Sequence, residues 1–304
     1  MKNSAKKIIA AILAVLTVLA CFALTGCGKK SEKTVVKVGV CGANNKQWIA
    51  VQKVLDEENA GIYIELVEFD AYNLPNEALN TGDIDLNAFQ HKAYLKNDST
   101  KNGYDLTAIG DTLIAPLSLY SKKYSTLDAL KSAAGTQKLI IGVPNDGTNL
   151  ARAIKLLETA GLITVDPAAG YTPELSDVTG YLYNIEISPV DANTLTSTLD
   201  DYAASTINGT YAVPYGLVPS RDALIIEKQS EDGSNPYVNV IVARTADKDN
   251  ATYKKIVEAY QTQLVAEYLL EAYSETFFPA FDYNPDYTVS ETFVEEIDSY
   301  KSTK

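Results

Sequence analysis

The stretch KLIIGVPNDGTNLARAIKLLETAG, residues 138–161, carries the pattern that decides the fold. Residues 138–143 form an apolar, β-branched run of the length of a buried strand. Pro144, Asn145, Asp146, Gly147, Thr148 and Asn149 are turn-formers. From about residue 150 to 160 the apolar side chains recur at helical spacing, and Gly161 stands where a helix is closed. The same order occurs near the start of the globular pattern. Residues 35–40 (VVKVGV) read as a buried strand, residues 41–45 as a Gly/Asn loop, and residues from about 47 to 58 as a helix. Two such strand–loop–helix units predict two similar lobes.

Further elements extend the pattern outward. Residues 62–69 alternate as a strand, Pro75 starts a short helix that ends near Gly82, and residues 84–89 form a third extended segment. Asp83 and Asp85 flank Ile84 and read as turn residues rather than as a catalytic pair. Beyond the central unit, residues 185–187, 203–207 and 237–243 read as strands, and residues 253–273 as one long amphipathic helix. Strands alternating with helices at this spacing predict α/β architecture with largely parallel sheets. Ligands of such sheets bind beyond the carboxyl ends of the strands. If the lobes face each other, the loops after Val40, Phe89, Val143 and Ile207 surround one cleft.

The amino terminus addresses the chain for export. Lys2, Lys6 and Lys7 precede residues 8–24, an apolar run broken only by Thr17, with no acidic residue before Glu32. A basic start and a run of this length read as a signal peptide, too short to span a bilayer comfortably. Leu24-Thr25-Gly26-Cys27 then looks like a lipobox, so residues 1–26 are expected to be removed and Cys27 acylated. Residues 27–34 read as a polar, lipid-anchored tether. Removal takes three lysines and no acid, moving the formal net charge from −13 to −16. Such a charge opposes nucleic-acid binding, which needs clustered Lys and Arg. Of Cys21, Cys27 and Cys41, one leaves with the signal and one carries lipid, so no internal disulfide is available.

Catalytic sets are poorly supplied. His91 is the sole histidine, and no Gly-x4-Gly-Lys-Ser/Thr or Gly-x-Ser-x-Gly motif occurs. No cofactor or metal is expected. Binding residues are better represented. Arg152 lies in the first turns of the helix after residue 149, which Thr148 or Asn149 can cap. A guanidinium beside free helix N–H groups suits a carboxylate, although a surface ion pair is the plainer reading. Asn208 follows a strand and offers both donor and acceptor, or serves a turn. Tyr72, Phe89, His91 and Tyr94 would suit an apolar or sulfur-containing side chain, or simply pack the core.

Several separated segments carry a resemblance. They are residues 69–95 (FDAYNLPNEALNTGDIDLNAFQHKAYL), Tyr120-Ser121-Lys122-Lys123, Val143-Pro144-Asn145-Asp146 with Thr148, Asn149 and Arg152, Ile207-Asn208 with Thr210-Tyr211-Ala212, and Asn235-Pro236-Tyr237-Val238-Asn239. In order and spacing they resemble the MetQ/NlpA family of methionine-binding lipoproteins, from about Val35 into the helix at 253–273. The resemblance implies a two-lobed, type II periplasmic-binding-protein-like fold with the ligand cleft between lobes. Residues 35–118 and 236–304 would form one lobe and residues 119–235 the other. It implies that Arg152 holds the ligand carboxylate, that Asn149 and Asn208 hold polar groups, and that Tyr72, Phe89, His91 and Tyr94 surround the side chain. The segments 42–48 and 190–198 depart from the family's usual wording at one cleft wall.

The expectation is therefore a lipid-anchored, extracytoplasmic, monomeric binding protein without enzymatic activity. It would pass methionine or a close derivative to an ABC permease driven by a separate ATPase. An enzyme on the same fold and a surface lipoprotein with an adhesive or partner-binding role are the rivals; turnover marks the first, and indifference to free amino acids the second.

Overall fold

The computed structural model describes residues 32–228, 235–274 and 276–304. The expected signal peptide and Cys27 lie outside these residues. The expected tether ends sooner than residue 34. Thr34 already opens a strand, and Lys33 donates to Asp56 and Ser302.

The first sheet begins with β1 (Thr34–Cys41), α1 (Gln47–Glu57), β2 (Ile62–Phe69), α2 (Pro75–Thr81), β3 (Leu86–His91), α3 (Lys92–Asn102) and β4 (Leu106–Ile114). The chain then enters a second sheet through β5 (Ser118–Tyr120), α4 (Leu127–Ala134), β6 (Leu139–Pro144) and α5 (Gly147–Thr159). It continues through the antiparallel pair β7 (Ile163–Val165) and β8 (Val178–Tyr181), then β9 (Ile185–Val190), β10 (Ala204–Ile207), α6 (Gly209–Ala212), α7 (Pro219–Asp222) and β11 (Ala223–Ile226). It returns to the first sheet as β12 (Val238–Arg244), α8 (Ala251–Tyr260), α9 (Gln263–Ala272), β13 (Phe278–Pro279) and α10 (Phe293–Asp298).

The strand orders are β13-β4-β12-β3-β1-β2 and β11-β5-β10-β6-β9, a two-lobed α/β fold. The sheets are less parallel than the alternating pattern predicts. β1, β2 and β3 pair parallel, as do β6, β9 and β10, but β12, β4, β13, β5 and β11 pair antiparallel. Strands beside the crossings reverse direction because the chain changes sheet without an intervening crossover helix.

Each sheet has its own core. Val36, Val38 and Val40 meet Trp48, Val51 and Leu55 of α1 and Tyr260 and Tyr268 of the returning helices. Ile141, Val143, Ile154, Leu157 and Leu130 fill the other. Burying each such side chain contributes about 1.5–3 kcal/mol, so each lobe has a core of its own beneath the cleft loops.

Three local expectations shift. The third strand starts at Leu86, because the Asp85 carboxylate takes the Lys37 N–H at 2.8 Å and keeps residues 83–85 in a turn. The central helix starts at Gly147, with Asp146 rather than Thr148 or Asn149 as its cap, and Gly161 ends it at φ +66°. The long helix expected at 253–273 is two helices. Gln261 leaves helical geometry and donates its side-chain amide to Asp111 O in β4 at 2.9 Å, a tertiary bond that overrides continuous helical periodicity.

Candidate functional site

One wall of the cleft is the carboxyl end of β3. Beneath it Asn76, Asn87 and Gln90 form a buried amide network, with Asn76 bonded to Gln90, Asn87 and Asp98 at 2.6–2.9 Å. Such fully paired networks hold a backbone in one register. Phe89 and His91 project beside it. His91 caps α3, its Nδ1 accepting the Tyr94 N–H at 3.0 Å. The proton of the neutral ring therefore sits on Nε2, which is buried, with the Asn149 side chain as a neighbour but no partner at hydrogen-bond geometry among the described residues.

Tyr72, Phe89 and Tyr94 meet with ring centroids 5.9–6.0 Å apart, and Tyr94 lies edge-on to His91 at 6.3 Å. The four aromatic candidates thus form one box, closed by Tyr211 at 4.9 Å from Tyr72 and Tyr237 at 5.2 Å from His91.

The facing wall is built on α5. Both carboxylate oxygens of Asp146 accept from Asn149 Nδ2 at 3.0 Å, and Oδ1 also takes the Asn149 N–H. This corrects the expected open helix end, since Asp146 already occupies the position proposed for a ligand carboxylate. It also fixes the amides. Asn149 Oδ1 must face the cleft, where it accepts from Asn208 Nδ2 at 2.8 Å and Arg152 Nη1 at 3.4 Å. Asn208 Oδ1 is left as a buried acceptor without a partner among the described residues.

Arg152 is neither a surface ion pair nor a free guanidinium. Its side chain is 3% exposed, and Glu227, on the segment after β11, accepts from its Nε at 3.0 Å and from its Nη2. Nη2 also donates to Ala115 O at 3.1 Å, and the guanidinium stacks 4.5 Å from the Tyr237 ring. Burial opposes its charge, but the Glu227 carboxylate holds it protonated above the ordinary arginine range. The edge left for a ligand is Nη1.

All seven expected residues, Tyr72, Phe89, His91, Tyr94, Asn149, Arg152 and Asn208, line one pocket between the sheets. A second pocket adjoins it, bounded by Asn44 and Asn45 of the loop after β1 and by Trp48 of α1. Glu227, Tyr237 and Asp146 were not singled out in the sequence. Tyr237 and Asp146 stand within the quoted segments, whereas Glu227 lies 75 positions from Arg152 with no local signal. Among the described residues no group of acids, histidines and cysteines can hold a metal, and no helix is long and apolar enough to cross a membrane.

Burial, reinforced by the Arg152 charge, pushes His91 from 6.5 down to about 3. The unfolded chain therefore takes up a proton near pH 6.5 that the folded chain refuses until about pH 3. The stability from His91 is complete above pH 6.5 and is lost as pH falls through that window, at about 1.4 kcal/mol per pH unit. Urea unfolding from pH 7 to pH 4.5 is expected to show this slope, and His91→Gln to flatten it. An unchanged slope in that variant assigns the loss to other groups.

Known proteins resemble this chain in both sequence and fold. The family model described as NlpA lipoprotein matches residues 36–281. The D-methionine-binding lipoprotein MetQ of Escherichia coli (strain K12) is 41% identical over 257 residues, covering 84% of this chain and 92% of that protein. A nutrient-binding protein from Burkholderia cenocepacia, solved bound to methionine, superposes with a TM-score of 0.74 at 36% identity, covering 81% of this chain and 100% of that one. The substrate-binding protein of a methionine transporter from Streptococcus pneumoniae gives 0.73 at 31% identity, covering 81% and 95%.

Proposed function

The chain belongs to the NlpA lipoprotein family, and from that premise we propose that this substrate-binding protein captures methionine for an ABC importer. The carrying observation is the pair of orphaned polar atoms, His91 Nε2–H and Asn208 Oδ1, lining one pocket with Arg152. A buried donor and a buried acceptor left unpaired each cost about 1–3 kcal/mol until something pairs with them. A zwitterion supplies what both need. Its carboxylate takes Arg152 Nη1 and the His91 N–H, and its ammonium donates to Asn208 Oδ1. The thioether enters the box of Tyr72, Phe89 and Tyr94, where each sulfur–aromatic contact contributes about 0.3–1.5 kcal/mol.

In this reading residues 34–117 with 236–304, and residues 118–235, are lobes that close over the ligand, with no bond made or broken. The closed form docks on a permease whose ATPase is a separate chain. Cys27 carries the lipid that holds the protein on the extracytoplasmic face of the membrane. The names of the relatives and neighbours support the ligand, and the lipobox supports the anchor.

One purification tests these points together. Protein extracted from membranes is expected to begin at an acylated Cys27 and to release methionine of unchanged mass. In a thermal-shift screen of amino acids, L- and D-methionine and methionine derivatives, a methionine ligand at about 100 times its Kd should stabilise the fold by about 2.7 kcal/mol. A modified product points to an enzyme instead. Indifference to every amino acid points to the adhesive lipoprotein.

A further inference from the structure

Four consecutive residues leaving β10 join the pocket to the first lobe. Asn208, Gly209 and Thr210 line the ligand pocket. A Cβ on Gly209 would lie 2.7 Å from a ring carbon of Phe277 and 3.5 Å from Ala115 Cβ. The carbonyl oxygen of Thr210 lies 2.7 Å from the place a Cβ on Gly42 would occupy. Tyr211 donates its hydroxyl to Asp70 O at 3.2 Å and packs against Tyr72. Residues 208–211 follow a strand of the second sheet, whereas Gly42, Asp70, Tyr72 and Phe277 all belong to the chain of the first.

The two glycines are required for different reasons. Gly42 has φ +75°, a left-handed conformation that favours glycine by itself. Gly209 lies outside that region, so nothing in its own backbone calls for glycine; the approach of Phe277 does. That ring cannot easily give way. It is 6% exposed and sits 4.8 Å from the Tyr273 ring within the first lobe's core.

We propose that residues 208–211 are the latch of lobe closure, with Gly209 and Gly42 as positioning residues that set how closely the lobes meet. The segment that senses the ligand through Asn208 makes the lobe-to-lobe contact through its next three residues. Occupancy and closure are thereby coupled through one rigid turn. The latch rests on the methionine reading for its probe, but not for its geometry.

Two arms test it. In the first, titration calorimetry of the full mature chain with methionine compares the parent, Gly209→Ala and Gly209→Ala/Phe277→Leu. A methyl at 209 meets the Phe277 ring where the lobes touch, so Gly209→Ala is expected to weaken methionine at least tenfold while leaving the ligand-free melting temperature in place. Trimming Phe277 is expected to restore most of the affinity, which neither a misfolded turn nor a methyl clashing with the ligand would allow. In the second arm, Gly42→Ala, whose ligand-free folding is checked by circular dichroism, places a Cβ 2.7 Å from the Thr210 carbonyl oxygen. Small-angle scattering with and without methionine is expected to show the parent compacting and Gly42→Ala staying more open. Parent-like affinity in Gly209→Ala, or a Gly42→Ala protein as compact as the parent, overturns the latch. A parent that ignores methionine yet is more compact than Gly42→Ala overturns the ligand reading and upholds the latch.

Discussion

Arg152→Ala is expected to weaken methionine binding by roughly 30-fold to several thousand-fold, the equivalent of about 2–5 kcal/mol for truncating one member of a buried charge pair. The loss has two parts. The ligand carboxylate loses its Nη1 partner, and Glu227 loses the cation that neutralises it. Breaking a buried pair costs about 3–5 kcal/mol of stability. Glu227 keeps 18% exposure and the Leu117 N–H, so the lower end applies here. Adding Glu227→Gln removes the stranded charge and is expected to recover stability without recovering affinity. The separation is read by urea unfolding beside calorimetry. Arg152→Ala protein that folds and binds methionine as tightly as the parent does would sink the assigned site.

Phe89→Ala is expected to lower both stability and selectivity. Phe89 is 8% exposed and packs with Cys41, Tyr72 and Tyr94. Truncating a buried phenylalanine costs about 3–5 kcal/mol, less here because the space left behind joins an existing pocket. The functional signature is differential. Methionine loses sulfur and apolar contacts that alanine never made, so the ratio of the two affinities should fall about tenfold or more, in line with the 1.5–3 kcal/mol of side-chain burial. Phe89→Leu keeps the volume and guards against simple unfolding. Equal losses for methionine and alanine would reduce Phe89 to a packing residue.

The chemistry divides between these positions. Arg152 sets the polar end of the ligand and Phe89 the apolar end, while residues 208–211 tie both to the relation between the lobes. His91 joins the two halves of the pocket. Its Nδ1 is committed to the Tyr94 backbone, so only a donor remains, and burial keeps that donor neutral across the physiological range.

Much of this was legible in the chain itself. β2 occupies the 62–69 expected from alternation, and α1 and β6 fall within a residue of their expected ends, because hydrophobic period and turn residues act over neighbours in sequence. The aromatic candidates were also legible, since Phe89, His91 and Tyr94 lie on one strand end and the helix it caps. Tertiary structure alone decided the rest. It split the helix at Gln261, reversed the strands beside the crossings, and capped α5 with a carboxylate where an open helix end was expected. It also paired Arg152 with Glu227 across 75 positions and Asn149 with Asn208 across 59. Local periodicity says which side of an element is buried. It does not say which distant group will satisfy a buried charge or amide, because that choice is made when the two sheets meet and every polar atom enclosed between them must find a partner.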